Sequence, residues 1–318
     1  MTPDVVRHHL RALSEQIGRV VYGAEEHTRL AFVAIAVRGH VLLEGVPGTG
    51  KTLFAQCLSR ALGLPMRRLQ CTPDLMPGDV LGANVFDFRT QTFHLTQGPV
   101  FTEVLLADEI NRTPPKTQSA LLEAMQERSV TIDGTTHSLS DRFTVIATQN
   151  PVEQEGTYPL PEAQLDRFLF KLDVGYPAFE QELRAVLTHG GQAGMPPIDS
   201  LGIEPVMDPQ QIDQLRTMPG RVHLDPKIGE YVVGLARATR QHPALAVGLS
   251  PRAATMLAAA ARAAALCAGR DFVVPDDVKS LFVPLAHHRV VITPSAEMEG
   301  VRVETALAEI LAQIAPPR

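Results

Sequence analysis

An apolar run, Val41-Leu42-Leu43, passes through Glu44 into Gly45-Val46-Pro47-Gly48-Thr49-Gly50-Lys51-Thr52, and the following stretch, Lys51–Leu62, has helical character. A short buried strand turning through a glycine loop into a helix fits the Walker A pattern in the context that pattern requires. The glycines let the backbone curl so that successive N–H groups point at phosphate oxygens, and the helix start adds positive potential. Lys51 is placed to reach the β- and γ-phosphates of ATP, and Thr52 to set its hydroxyl on Mg²⁺. This one feature restricts the chain to an open α/β fold, where ligands sit outside the carboxyl ends of the strands.

The rest of the chain agrees with that restriction. Further strands are predicted at Met66–Gln70, Val104–Ala107, Thr144–Thr148 and Lys171–Val174, with a helix over Lys116–Arg128 whose Leu121, Leu122 and Met125 share one face. Strands alternating with helices imply a mostly parallel sheet covered on both sides. Two pieces interrupt the alternation: Val85–Leu95, which reads as an inserted hairpin, and Val130–Leu139, centred on the turn signal Asp133-Gly134. Composition shifts to Gly, Pro and small residues around Gly190–Pro197. Beyond it the pattern reads as purely helical, with start signals at Pro226, Ser250-Pro251 and Pro275-Asp276, and Leu307, Ile310, Leu311 and Ile314 at helical spacing. The expected organisation is an α/β nucleotide-binding core over 1–180, a linker over 181–207 and a smaller α-helical lid over 208–318.

Composition narrows the function classes. The chain has 318 residues, 45% hydrophobic and 20% charged, which is globular rather than disordered. It has no Trp and 5% aromatic residues, which argues against a stacking platform for single-stranded nucleic acid. The net charge of −6 argues in the same direction. Cys57, Cys71 and Cys267 form no C-x-x-C pair and read as reduced, buried thiols. Met1–Ser14 has no apolar core of a signal peptide, and Ala253–Ala268 holds Arg262 and is too short to span a bilayer. A cytoplasmic protein without membrane insertion is expected.

The second chemical motif is Val104-Leu105-Leu106-Ala107-Asp108-Glu109, an apolar strand delivering two carboxylates to the sheet edge. Asp108 suits a Mg²⁺ ligand and Glu109 a base that polarises the attacking water. Asn150 follows the strand Thr144–Thr148 and precedes Pro151; its amide suits a water or γ-phosphate contact, and an Asn-Pro turn explains it equally well. Arg167 stands just before the last strand, and Arg252 in the first turn of a lid helix. Arginines are commonly solvated surface charges, although one at a helix start points to an anionic partner. The doublets His8-His9 and His287-His288 have no third ligand nearby and read as surface or hydrogen-bonded histidines.

With Gly45–Thr52 and Leu106–Arg112 in place, the segments Gln118–Arg128 (QSALLEAMQER), Ala147–Arg167 and Ser250-Pro251-Arg252 complete a pattern that resembles the MoxR family of AAA+ ATPases along nearly the whole chain. The resemblance implies that Asn150 is sensor 1, Arg167 an arginine finger acting on a neighbour's ATP, and Arg252 sensor 2. It implies that Val21-Tyr22-Gly23 lines the adenine pocket, that Val46, Pro47, Gly48, Thr49, Gly50, Lys51, Thr52 and Leu53 hold the nucleotide, and that Gln70 restrains Glu109. Val85–Leu95 and Val130–Leu139 become the helix-2 insert and the pre-sensor-1 hairpin. Whether Arg252 serves its own nucleotide or a neighbour's stays open. Such proteins form rings, usually hexameric, act like chaperones on protein clients or metal-cofactor assemblies, and commonly work with a von Willebrand factor A domain partner.

Two other functions fit an AAA+ core. A nucleic-acid motor would want Lys or Arg at the hairpin tips, yet Asp133-Gly134-Thr135-Thr136 is acidic and polar, and the insert offers Arg89. A nucleotide-gated scaffold would not need Glu109, Asn150 and Arg167 together. An ATP-driven remodeller is the expectation.

Overall fold

The computed structural model describes residues 1–152, 156–191 and 197–317. Part of the segment Ala147–Arg167 and most of the Gly190–Pro197 composition shift therefore lie outside the described residues. Helices α1 (Pro3–Gly18) and α2 (Glu25–Ala36) precede strand β1 (Val41–Glu44), which feeds α3 (Lys51–Ala61). Then come β2 (Met66–Gln70), α4 (Pro77–Leu81), the strands β3 (Gly82–Asp87) and β4 (Thr92–Gln97), and β5 (Val104–Asp108). A 3₁₀ turn at Ile110–Arg112 leads to α5 (Pro115–Glu127), β6 (Ser129–Ile132), β7 (Thr135–Ser138), β8 (Thr144–Gln149), α6 (Glu162–Leu165) and β9 (Phe170–Asp173).

The five-stranded sheet has the order β2-β5-β8-β1-β9, and every neighbouring pair is parallel. Its strands read as unbroken apolar runs because both faces are covered. Val41, Leu43, Val104, Leu106 and Ile146 join one core with α1, α2 and α3. The alternate residues Leu42, Leu105, Ala107, Val145 and Ala147 join a second core with Leu121, Leu122 and Met125 of α5. Both interruptions are antiparallel hairpins, β3 with β4 and β6 with β7. Asp133 and Gly134 take φ of 48° and 80°, the two positive values that a tight I′ turn requires. Asn84 donates from Nδ2 to Asp133 Oδ2 at 2.8 Å and ties the two hairpins together.

The C-terminal part contains α7 (Phe179–His189), α8 (Pro209–Thr217), α9 (Pro226–Gln241), β10 (Leu245–Val247), α10 (Pro251–Cys267), α11 (Pro275–Ala286), β11 (Val291–Ile292), α12 (Pro294–Met298) and α13 (Val303–Gln313). Asp208, Asp225 and Ser250 cap α8, α9 and α10 by accepting backbone N–H groups at 2.9, 2.8 and 3.1 Å. The expectation of a purely helical lid needs correction, because β10 and β11 pair antiparallel. Runs of three and two residues are too short to display a period of two. The stretch 181–207, expected to be a linker, holds most of α7 and a 3₁₀ turn at Ile198–Leu201. Phe179, Leu183, Val186 and Leu187 stand at helical spacing there, but the neighbouring glycines and prolines masked them.

Two buried arginines tie the C-terminal part to the core. Arg216 of α8 donates to Ile35 O at 3.0 Å, Asp141 O at 2.6 Å and Thr144 Oγ1 at 2.9 Å. Arg289, beyond α11, donates to Asp166 Oδ1 at 2.8 Å and to Leu169 O at 3.1 Å. Cys57, Cys71 and Cys267 are free and buried, and burial pushes their thiols up to about 12, 11 and 12. His9 and His288 pair with backbone carbonyls of Val206 and Phe168. Among the described residues there is no metal-like cluster of His, Cys, Asp and Glu, and no helix is long and apolar enough to cross a membrane.

Candidate nucleotide site

Strand β1 ends at Glu44 and hands the chain to the glycine loop. Gly48 and Gly50 take φ of +84° and +82°, a left-handed backbone that favours glycine at both positions. Gly50 is the N-cap of α3 and gives no side-chain cap, leaving the first-turn N–H groups to an anion. Lys51 donates from Nζ to Gly45 O and Val46 O, both at 2.7 Å. Burial lowers the Lys51 pKa from its ordinary value, and Asp108 and Glu109 oppose that shift.

The two carboxylates arrive on β5. Asp108 is 6% exposed. Thr52 donates to it from Oγ1, 3.2 Å from Oδ1 and 3.1 Å from Oδ2. Thr148 of β8 donates to its Oδ1 at 2.6 Å, and Arg68 of β2 donates from Nη2 and Nε to its Oδ2 at 2.7 and 3.1 Å. The Thr148 hydroxyl also accepts the Glu109 N–H at 2.8 Å, so one side chain positions both acids. Glu109 sits in the left-handed region at φ 60° and ψ 51°, an uncommon conformation for a residue other than glycine. Its carboxylate is paired with Arg112 Nη1 at 3.1 Å and accepts from Gln70 Nε2 at 3.4 Å.

Asn150 is buried at the end of β8. Asn111 donates to its backbone carbonyl at 3.2 Å, and its own Oδ1 accepts from Val152 N at 3.1 Å. Its Nδ2 is buried with no hydrogen-bond partner among the described residues. A buried donor without a partner is costly unless a ligand or water completes it.

A cavity of about 370 Å³ opens beside the loop, lined by Val21, Tyr22, Gly23, Gly48, Thr49, Gly50 and Leu53 together with Tyr176, Pro177 and Gln181. Tyr22 donates to Thr188 Oγ1 at 3.1 Å and lies under the Arg184 guanidinium at 4.6 Å. Helix α7 is thus a wall of this cavity. An apolar slot ending in a polar loop suits a flat base followed by phosphates. The oxygen donors Thr52 and Asp108 are the hard ligands that Mg²⁺ takes.

Arg167 and Arg252 are not brought into this cluster. Strands β1 and β9 run parallel with Val41 opposite Phe170 and Glu44 opposite Asp173. The loop follows Glu44, whereas Arg167 precedes Phe170, so they lie at opposite edges of the sheet. Four strand residues at roughly 3.3 Å each separate those edges by about 13 Å. Arg167 donates to Gln126 Oε1 and Ala163 O, both at 3.2 Å. Arg252 stands 3.8 Å from Asp166 Oδ2, on the same edge as Arg167. Sequence reasoning missed Arg68, Thr148 and Arg112. Strand parity would have found Arg68, which shares a face with Gln70; the other two depend on register and turn geometry.

A glycine-loop α/β core with paired acids at the sheet edge, followed by a lid, defines an AAA-type nucleotide-binding protein. Residues 40–170 match the model of the ATPase family associated with various cellular activities (AAA), and residues 237–310 match that of the AAA lid domain. The chain is 47% identical to uncharacterized protein YeaC of Bacillus subtilis over 95% of this chain and 93% of that one. It is 39% identical to Chaperone MoxR1 of Mycobacterium tuberculosis over 98% of this chain and 83% of that one. A crystal structure of a Cytophaga hutchinsonii protein superposes with a TM-score of 0.90 at 35% identity, covering 99% of this chain and 97% of the other. The chain belongs to the MoxR family of AAA+ ATPases.

Proposed function

We propose that this protein binds Mg-ATP at Gly45–Thr52 and hydrolyses it in a site completed by a neighbouring subunit of a homo-oligomeric ring. The observation that carries this reading is the division of the candidate site residues between two edges of the sheet. Lys51, Thr52, Asp108, Glu109 and Asn150 gather at one edge, and Arg167 and Arg252 at the other.

The loop N–H groups and Lys51 bind the phosphates, Lys51 exchanging the carbonyls of Gly45 and Val46 for phosphate oxygens. Val21, Tyr22, Gly23 and Leu53 hold the base in the cavity. Thr52 and Asp108 hold Mg²⁺, which neutralises phosphate charge when bound. Glu109, once released from Arg112 and Gln70, orients and polarises the attacking water, and Asn150 Nδ2 donates to that water or to the γ-phosphate. Within one subunit Arg68 and Arg112 are paired with the carboxylates of Asp108 and Glu109, which leaves Lys51 among the described residues of the cluster to offer positive charge to the γ-phosphate as charge develops. Arg167 supplies the rest to the adjoining protomer's ATP, and Arg252, standing beside Asp166 on the same edge, acts there with it.

Hydrolysis is put to work in remodelling a protein client or a metal-cofactor assembly. The chaperone name of the Mycobacterium tuberculosis relative supports this, and a ring, usually hexameric, with a von Willebrand factor A domain partner is the form the family suggests. Equilibrium binding of a fluorescent ATP analogue tests the first step. The unaltered protein should bind and Lys51→Ala should not; equal affinity of the two would refute the assignment of the loop.

A further inference from the structure

We propose that Arg68 is a built-in stand-in for the metal cation on Asp108, and that its displacement by Mg²⁺ removes one of the two restraints on Glu109, the Gln70 contact. The proposal rests on the Mg-ATPase reading above. Asp108 is buried and its carboxylate needs a positive partner, because an uncompensated buried charge is strongly destabilising. Lys51, the cation nearest in sequence logic, is turned to the carbonyls of Gly45 and Val46. Arg68 fills the role instead. β2 pairs Gln70 with Asp108, so Arg68 reaches the carboxylate along the diagonal of that pair and donates to it from Nη2 and Nε. The Arg68 side chain is 50% exposed against 8% for Asp108, so it can swing into water while the carboxylate stays.

The same guanidinium reaches further. Arg68 Nη2 also donates to Gln70 Oε1 at 2.9 Å. Only the amide oxygen can accept there, so the Gln70 NH₂ is forced to the other side, where it meets Glu109 Oε2 at 3.4 Å. Asp108, Arg68, Gln70 and Glu109 therefore form one chain of contacts. A divalent cation on Asp108 and a guanidinium on the same oxygen repel one another, so metal loading expels Arg68. Gln70 then loses the contact that orients its amide, and Glu109 keeps Arg112 but loses Gln70. Arg68 is a positioning residue: it acts on the base through Asp108 and Gln70.

The test compares the unaltered protein with Arg68→Ala and with Arg68→Gln, which keeps polarity without charge should the alanine variant fail to fold. The first readout is the Mg²⁺ concentration that half-saturates binding of a fluorescent ATP analogue. Charge-assisted hydrogen bonds make the expected fall in the variants about tenfold. A purely structural role for Arg68 would leave that midpoint unmoved or raise it, and either result overturns the proposal. The second readout is melting with Mg²⁺ alone. Without metal the variants should melt below the unaltered protein, and Mg²⁺ should raise their Tm more; equal rises overturn the proposal. Failure of the unaltered protein to bind the nucleotide would instead refute the ATPase reading, and the melting arm would still decide on Arg68.

Discussion

Arg289 donates from Nε to Asp166 Oδ1 at 2.8 Å, joining the segment just after α11 to the residue immediately before Arg167. The Arg289 side chain is 2% exposed, and burial lowers its pKa to about 10, with Asp166 opposing that shift. Arg289→Ala removes the close cation from Asp166 and the Arg289 donor from the Leu169 carbonyl. Removing one partner of a buried ion pair costs about 3–5 kcal/mol, and Asp166, whose side chain is 24% exposed, places the expected loss near the lower figure. Urea unfolding measures it. A loss below about 1 kcal/mol would show that the lid is held elsewhere.

Stability should also fall with acid through His40. This buried ring accepts the Val145 N–H at Nδ1, 2.9 Å away, and faces Met125 O through Nε2 at 3.2 Å, which requires the neutral form. Burial, with Arg128 adding to it, lowers the His40 pKa to about 3. The folded value lies below the unfolded one, so the unfolded chain binds the proton first. The contribution is unchanged above about pH 6.5 and is lost progressively as pH falls toward 3, by up to about 1.4 kcal/mol per unit. Unfolding free energies between pH 7 and 4 should therefore slope less steeply in His40→Gln. Parallel slopes would remove His40 as a cause.

The two acids and the lysine should separate binding from turnover. Glu109→Gln is expected to keep nucleotide affinity and lose hydrolysis, whereas Lys51→Ala loses binding itself. Comparing ATP-analogue affinity with phosphate release distinguishes them. Equal loss of affinity in both variants would contradict the roles given to Glu109 and Lys51.

Much of the architecture was legible because the physics is local. Val41–Leu43 and Val104–Leu106 are apolar on both strand faces, and Asp133-Gly134 can hardly avoid a tight turn. The loop and both carboxylates followed from the same runs. Thr148 was not legible as a site residue, since its two hydrogen bonds depend on β8 lying beside β5 in one register. Helix α7 was hidden by the glycine-rich composition beside it. The separation of Arg167 from the loop is visible once β1 and β9 are known to be parallel neighbours, a long-range fact that residue spacing does not carry.

The central claim is that one subunit holds the binding half of the site and its neighbour the missing positive charge. Arginine fingers are worth about 10³–10⁵ in rate in other phosphoryl-transfer systems. Arg167→Ala should accordingly keep ATP affinity within about tenfold, or 1.4 kcal/mol, and lose nearly all turnover. The most direct measurement is phosphate release from a mixture of Arg167→Ala and Glu109→Gln subunits, each inactive alone. Mixed rings contain interfaces that pair an intact Glu109 with an intact Arg167, and activity should reappear in proportion to them. A mixture that assembles yet stays inactive, or a monomeric preparation hydrolysing ATP at the full rate, would contradict the shared site.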